Sequence, residues 1–300
     1  MRIAIPLLTV LWCYSGMAFQ NSKGLEFSEE LLFERVKIFS SDAFEGRMTG
    51  EHGNKKGRAF ISDVFKSYGI QPFYKTYEQT FSVLNNGKTI EASNVIGLAR
   101  GSAHPEKYIV ISAHHDHIGK RGDEIYNGAD DNASGIGALF AFAEYLSKSP
   151  PEYSVILAAF DAEEMGLHGS RYFVKSMDKD QILLNINIDM IGRSPKNELY
   201  MVGSRYNEHL NQVIKRYKNP TSSILIVGHD GTDHKEDWTL ASDHAPFHEQ
   251  GTPFLYFGNE DHEAYHQPED EFQYLTLEFY SNAITVILSL FEHIDRAGLN

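Results

Sequence analysis

Five stretches of the chain carry side chains that hold metals or move protons. They are His114-His115-Asp116-His117, Asp130-Asp131, Asp161 with Glu163-Glu164, Asp189, and the run from Asp261 to His266. Imidazole nitrogen with carboxylate oxygen is a donor set that zinc accepts, and a catalytic zinc keeps one position open for water or substrate. Two such ions close together need a shared anionic ligand, which a carboxylate supplies. The adjacent pair Glu163 and Glu164 then allows a division of labour, one side chain ligating while its neighbour takes a proton from water. With 14 His and 41 Asp+Glu in the chain, residue type alone selects little. Position in the fold has to discriminate.

The elements that would position these residues are legible as apolar runs. Buried-strand patterns fall at 108–113, 155–160, 183–188, 199–202, 223–227 and 254–257. Between and after them, helical spacing appears at 133–146, 169–176, 205–217 and 275–294. Nearer the N-terminus, residues 28–39 read as a helix capped by Ser28, and 56–68 as one stopped by Gly69. Two alternating stretches, 74–83 and 89–98, flank the turn Asn85-Asn86-Gly87 and predict a hairpin. Strands alternating with helices imply an α/β fold whose mixed, mostly parallel central sheet is sandwiched between helices. In such sheets ligands bind at the carboxyl ends of the strands. Each chemical cluster follows that phase. His114 ends the first apolar run, Asp161 to Glu164 follow the second, Asp189 follows the third, and Asp261 to His266 follow the last. The acidic turn at Asp130-Asp131-Asn132 precedes the helix that begins near Ala133.

Composition narrows the class. The 300 residues carry 27 Lys+Arg and a net charge of -14, with 42% hydrophobic and 23% charged residues. That is an ordinary globular balance. It argues against a nucleic-acid partner, which demands a basic face to release counterions. The first residues read as a secretory signal: Arg2, a short apolar run from Ile3 to Trp12, then Gly16 and Ala18 as small residues before a cleavage point. The run is too short and too proline-interrupted to span a membrane, and no later stretch approaches one. Trp12 before Cys13 is too bulky for lipoprotein processing, so residues 1–18 are expected to leave a secreted or periplasmic product, 19–300, forming one catalytic domain. Cys13 is the only cysteine, which excludes disulfides, thiolate chemistry and Cys-ligated zinc from that product.

At its chemical residues the chain resembles the co-catalytic di-zinc exopeptidases, of the aminopeptidase Y and secreted bacterial leucine aminopeptidase type. The matching pieces are Ala-His-His-Asp (113–116), Gly-Ala-Asp-Asp-Asn-Ala-Ser-Gly (128–135), Glu-Glu-Met-Gly-Leu-His-Gly-Ser (163–170), Asn-Ile-Asp-Met-Ile-Gly (187–192), Ser-Asp-His (242–244) and Tyr-His-Gln-Pro-Glu-Asp (265–270). All six occur in family order.

The resemblance implies two zinc ions and a role for each position. His114 and Asp189 would hold one ion, Glu164 and His266 the other, and Asp131 would bridge them. Glu163 would be the general base, Asp116 would orient His114, and Tyr265 would stabilise the oxyanion. The Asp131–Asn132 peptide is expected to be cis. The activity implied is removal of N-terminal residues from peptides with a free amino terminus, and a negative protein field would help to steer such cations. Several residues nearby have plainer readings. His115 and His117 are expected to line the cleft or pack, Asp130 to hydrogen-bond within its turn, and Glu45-Gly46-Arg47 to shape the site structurally. Asp243 and His244 are open between contact with the site and capping of the helix that follows. Rival activities on the same scaffold are a carboxypeptidase or dipeptidase, which needs a basic pocket, a single-zinc glutaminyl cyclase, and a binding domain without catalysis.

Overall fold

The computed structural model describes residues 27–299; the expected signal segment 1–18, with Cys13, lies outside them. Helix α1 (Glu29–Phe39) opens on Ser28, whose side chain accepts from Leu31 N as an N-cap. Helix α2 (His52–Ser67) begins four residues before the expected start. Strands β1 (Gln71–Pro72), β2 (Glu78–Asn85) and β3 (Lys88–Ala99) follow. The β2–β3 hairpin closes through Asn86 and Gly87, both with positive φ (49° and 77°). That geometry gives a two-residue turn whose twist matches the strands.

Strand β4 (His104–His114), the small ribbon β5 (Gly119–Arg121) and β6 (Glu124–Tyr126), helix α3 (Gly135–Lys148) and strand β7 (Tyr153–Phe160) form the next unit. Helix α4 (His168–Ser176), strands β8 (Ile182–Ile188) and β9 (Glu198–Val202), helix α5 (Glu208–Ile214) and strand β10 (Ile224–Val227) come after it. Helix α6 (Ala245–Glu249), strand β11 (Phe254–Gly258) and helix α7 (Leu277–Ala297) complete the described residues.

Nine strands make one sheet in the order β1-β3-β7-β4-β8-β11-β9-β10, with β2 paired to β3. The centre, β7-β4-β8-β11, is parallel throughout. The flanks are not: β3 runs antiparallel to β7, and β9 antiparallel to β11. The sheet is therefore mixed more evenly than expected from strand–helix alternation. The link between β8 and β9, residues 189–197, is too short for a crossover helix, so β9 turns back against the central direction.

Helices cover both faces, and strand alternation distributes the core between them. Ile109, Ile111, Leu157, Ala159 and Ile186 point into a large cluster with α1, α2, α3, α5 and α7. Val110, Ile156, Ala158 and Phe160 point the other way, onto Phe173 of α4 and Phe247 of α6. This two-sided burial explains why the central strands read as continuous apolar runs rather than alternating ones. Helix α3 approaches α7 closely at Gly137, where a Cβ would come within 2.1 Å of the Tyr280 hydroxyl. Because the four central strands are parallel, their carboxyl ends all open on one edge of the sheet, at residues 114, 160, 188 and 258.

Candidate metal centre

Four strand ends and one turn deliver the site. His114 is the last residue of β4, and its Nε2 lies 3.2 Å from Asp131 Oδ1 and 3.2 Å from Asp189 Oδ1. Asp189 follows β8 directly; Ser242 Oγ donates to its Oδ2 at 2.7 Å, and Asn187 Nδ2 donates to that same Ser242 oxygen. On the other side, His266 Nε2 lies 3.1 Å from Asp131 Oδ2 and 3.3 Å from Glu164 Oε2. Asp131 thus turns one carboxylate oxygen toward each half of the site. Positive φ at Ala162, Met190 and His266, each at or beside a site residue, aims these side chains in conformations that non-glycine residues seldom adopt.

The turn carrying Asp131 is held from two directions. Asp270 accepts from Asp130 N and Asp131 N at 2.9 to 3.1 Å. The fully buried Arg47 guanidinium donates to four carbonyls, those of Phe39, His115, Asn127 and Gly128. The Asp131–Asn132 peptide is cis. Asp130 reaches beyond its own turn, because Gly192 N donates to its Oδ1 and His262 Nε2 lies 3.1 Å from its Oδ2.

Asp116 differs in detail from the expected role. The His114 ring meets the Asp116 carbonyl, 3.1 Å from Nδ1, and its carboxylate lies 3.9 Å away. The carboxylate instead accepts from Glu163 N at 3.1 Å, Glu164 N at 3.4 Å and Thr49 Oγ1 at 3.2 Å. It positions the loop that carries the two glutamates. Glu163 projects toward the first half of the site, and no donor among the described residues holds its carboxyl.

His117, expected to line the cleft or pack, stands inside the second half. Its Nδ1 is 2.8 Å from Glu164 Oε1 and 3.6 Å from Asp131 Oδ2. His115 behaves as expected: it is buried, with Nε2 3.1 Å from the Ser93 carbonyl. Asp243 is buried behind the site, and its charge helps to raise the Glu163 pKa. His244 packs against Phe254 and Tyr256 and meets the Trp238 carbonyl.

Two groups of three therefore bring ligand atoms within 4.8 Å of one another: His114, Glu163 and Asp189, and His117, Asp131 and Glu164. The electrostatics calls for cations. Burial opposes protonation of His114, yet Asp189, Glu163 and Asp131 outweigh it and hold the imidazole pKa well above its usual value. Hydrogen bonds to Asp131 and Glu164 push His266 up to about 10. Burial pushes Glu164 upward, but His117 and His266 bring it down to about 2. Burial, with help from the charges of Asp243 and Asp189, raises Glu163 well above the carboxylate range. Oxygen and imidazole donors without sulfur, converging in two groups around a shared carboxylate, fit zinc.

A family model described as peptidase family M28 matches residues 94–291. The chain belongs to peptidase family M28. It is 29% identical over 200 residues to "Aminopeptidase YwaD" of Bacillus subtilis (strain 168), a match covering 62% of this chain and 41% of that protein. It is 31% identical over 163 residues to the "Alkaline phosphatase isozyme conversion protein" of Escherichia coli (strain K12), covering 49% of this chain and 47% of that one. The match thus spans under half the length of these relatives. Among solved structures, the aminopeptidase from Aneurinibacillus sp. strain AM-1 superposes with a TM-score of 0.70 at 18% identity, over 88% of this chain and 93% of that one. A Porphyromonas gingivalis glutaminyl cyclase superposes equally well, with a TM-score of 0.69 at 21% identity, over 90% and 99% of the two chains. Both likenesses establish the fold and leave chemistry to the site.

Two clefts flank the metal centre of this M28 peptidase. The first, about 230 Å³, is lined by His114, Glu163, Asp189 and Tyr265 among others, and no Lys or Arg contributes to it. The second, about 360 Å³, lies on the His117, Glu164 and His266 side and includes Arg121. Tyr265 stacks on the His266 ring with centroids 3.9 Å apart. Burial and the charges of Asp131 and Asp189 raise its pKa, so its hydroxyl keeps its proton.

Proposed function

We propose that this M28 peptidase is a secreted, zinc-dependent aminopeptidase. The observation that carries the proposal is the pair of His–carboxylate groups sharing Asp131, with the unbonded Glu163 carboxyl beside His114 and Asp189 and a cleft free of Lys and Arg. His114 and Asp189 would hold one zinc, Glu164 and His266 the other, and Asp131 both. Zinc bound there supplies Lewis acidity, which acidifies water and polarises the scissile carbonyl.

The protein's own groups do the rest. Glu163, held by its backbone N–H on Asp116, takes a proton from the attacking water and returns it to the leaving amine. The Tyr265 hydroxyl donates to the developing oxyanion. Glu163 and Asp189, at the metal-centre end of the smaller cleft, receive the substrate's α-ammonium, and the absence of Lys and Arg there leaves nothing to grip a substrate carboxylate, which disfavours a carboxypeptidase. Residues 1–18 are the export signal, a point that N-terminal sequencing of the mature protein checks directly.

The test is hydrolysis of aminoacyl nitroanilides against N-acetylated controls, before and after chelation and zinc restoration, beside Glu163→Gln. The expected result is cleavage of free-amine substrates only, lost on chelation and recovered with zinc. Glu163→Gln should lower kcat by about 10²–10⁴-fold with zinc content unchanged. Cyclisation of N-terminal Gln peptides without hydrolysis of any aminoacyl amide would replace the proposal with a cyclase.

A further inference from the structure

Part of the smaller cleft lies outside the catalytic proposal. Its wall includes Glu236, Asp261 and Asn259, with Met190, Trp238 and Tyr256 as apolar neighbours. Neither the Glu236 nor the Asp261 carboxylate makes a hydrogen bond or ion pair among the described residues. They are close enough to interact: burial, and next the Glu236 charge, raises the Asp261 pKa. The charges of His262 and His266 act on Asp261, but these rings turn to Asp130 and to Asp131 with Glu164, and Lys235 and Arg193 are also engaged elsewhere. Lys235 Nζ lies 3.0 Å from Glu260 and 3.2 Å from the Tyr200 hydroxyl, and Arg193 lies beside His262 and Glu263.

The independent sign of a ligand comes from Asn259. It is only 5% exposed, its Nδ2 donates to the Arg193 carbonyl at 3.0 Å, and that bond fixes which way the amide points. Its Oδ1 is left buried without a donor. A buried acceptor without a partner is costly unless something fills the role. Two exposed carboxylates and one buried, unpartnered amide oxygen beside an apolar wall match a long side chain with an apolar stem and a cationic, donor-rich head. Trp238, held in place by the His229 ring that stacks flat on it at 3.6 Å, gives the cleft part of its apolar wall.

We propose that Glu236, Asp261 and Asn259 form the specificity pocket for a basic N-terminal side chain, so that the enzyme prefers peptides beginning with Lys or Arg. This rests on the aminopeptidase reading. The substrate's α-ammonium is served by the carboxylates at the metal centre, which leaves these three acceptors for the side chain.

The decisive comparison is lysyl against norleucyl nitroanilide, which share a stem and differ in the cationic head. Zinc-loaded wild-type enzyme should favour lysyl in kcat/KM by about 10- to 100-fold, and Glu236→Gln with Asp261→Asn should collapse that ratio toward one. A charge reversal, Glu236→Lys, should shift preference toward acidic N-terminal residues, which guards against a variant that is merely misfolded. A wild-type ratio near one, or equal losses on both substrates in the double variant, would overturn the proposal and assign the carboxylates to the α-ammonium. Calorimetric binding of lysinol and norleucinol separates the two proposals. Selective lysinol binding without hydrolysis of any amide would preserve the pocket and sink the aminopeptidase; hydrolysis without lysyl preference would do the reverse.

Discussion

His117 is the site residue whose place the spacing did not reveal. It follows the end of β4 by three positions, and beyond a strand end the alternation that tells side-chain direction no longer applies. The chain turns there, and Nδ1 comes to rest 2.8 Å from Glu164 Oε1. Whether it ligates directly or holds Glu164 in place, its loss should weaken one ion and spare the other. His117→Ala is expected to reduce affinity for the second zinc by about 10- to 100-fold, read by titration against a chelating indicator. Two zinc ions bound with unchanged affinities would remove His117 from the site. His114, Asp131, Glu164, Asp189 and His266 were legible because each belongs to a short ordered motif at a strand end or turn. Glu236 and Asn259 were not, since nothing in their neighbours' spacing says that they face the same cleft.

At the scale of elements, the turn 127–132 depends on partners remote in sequence. Arg47 lies between α1 and α2 and closes four carbonyls, two of them in this turn. Burial lowers its pKa to about 10, which keeps the guanidinium charged. Arg47→Met would orphan all four carbonyls and should cost at least about 3 kcal/mol, measured by chemical denaturation. Asp270 does the complementary work on the N–H groups of Asp130 and Asp131. Asp270→Ala should therefore loosen the shared ligand and lower zinc affinity by about 10- to 100-fold with secondary structure intact by circular dichroism. Local signals found most elements, among them the Ser28 cap and the Asn86-Gly87 turn. They erred at α5, expected over 205–217 and observed as Glu208–Ile214. There Asn207 caps the helix by accepting from Leu210 N, so the helix starts later than apolar periodicity suggests.

For the whole molecule, the parallel centre of the sheet brings residues 75 positions apart, His114 and Asp189, into contact. The result is a dense group of carboxylates and imidazoles within an acidic protein. Removing zinc leaves their mutual repulsion uncompensated. Stripping the metal should lower Tm by about 5 °C or more where zinc had been held at about 100 times its dissociation constant, with recovery on zinc addition, as scanning calorimetry would record. An unchanged Tm would mean that the folded protein holds the metal weakly or not at all.

Residue order alone set the α/β class, the phase of the chemical motifs against the strands and the family resemblance, because burial on both faces and strand-end placement leave local patterns. Packing set what has no local pattern. The antiparallel flanks follow from two short connections, residues 100–103 and 189–197, the entry of His117 from the turn after β4, and the acceptors Glu236, Asp261 and Asn259 from the loops that follow β10 and β11. Contacts of that kind join distant parts of the chain, and they exist only once the sheet has assembled.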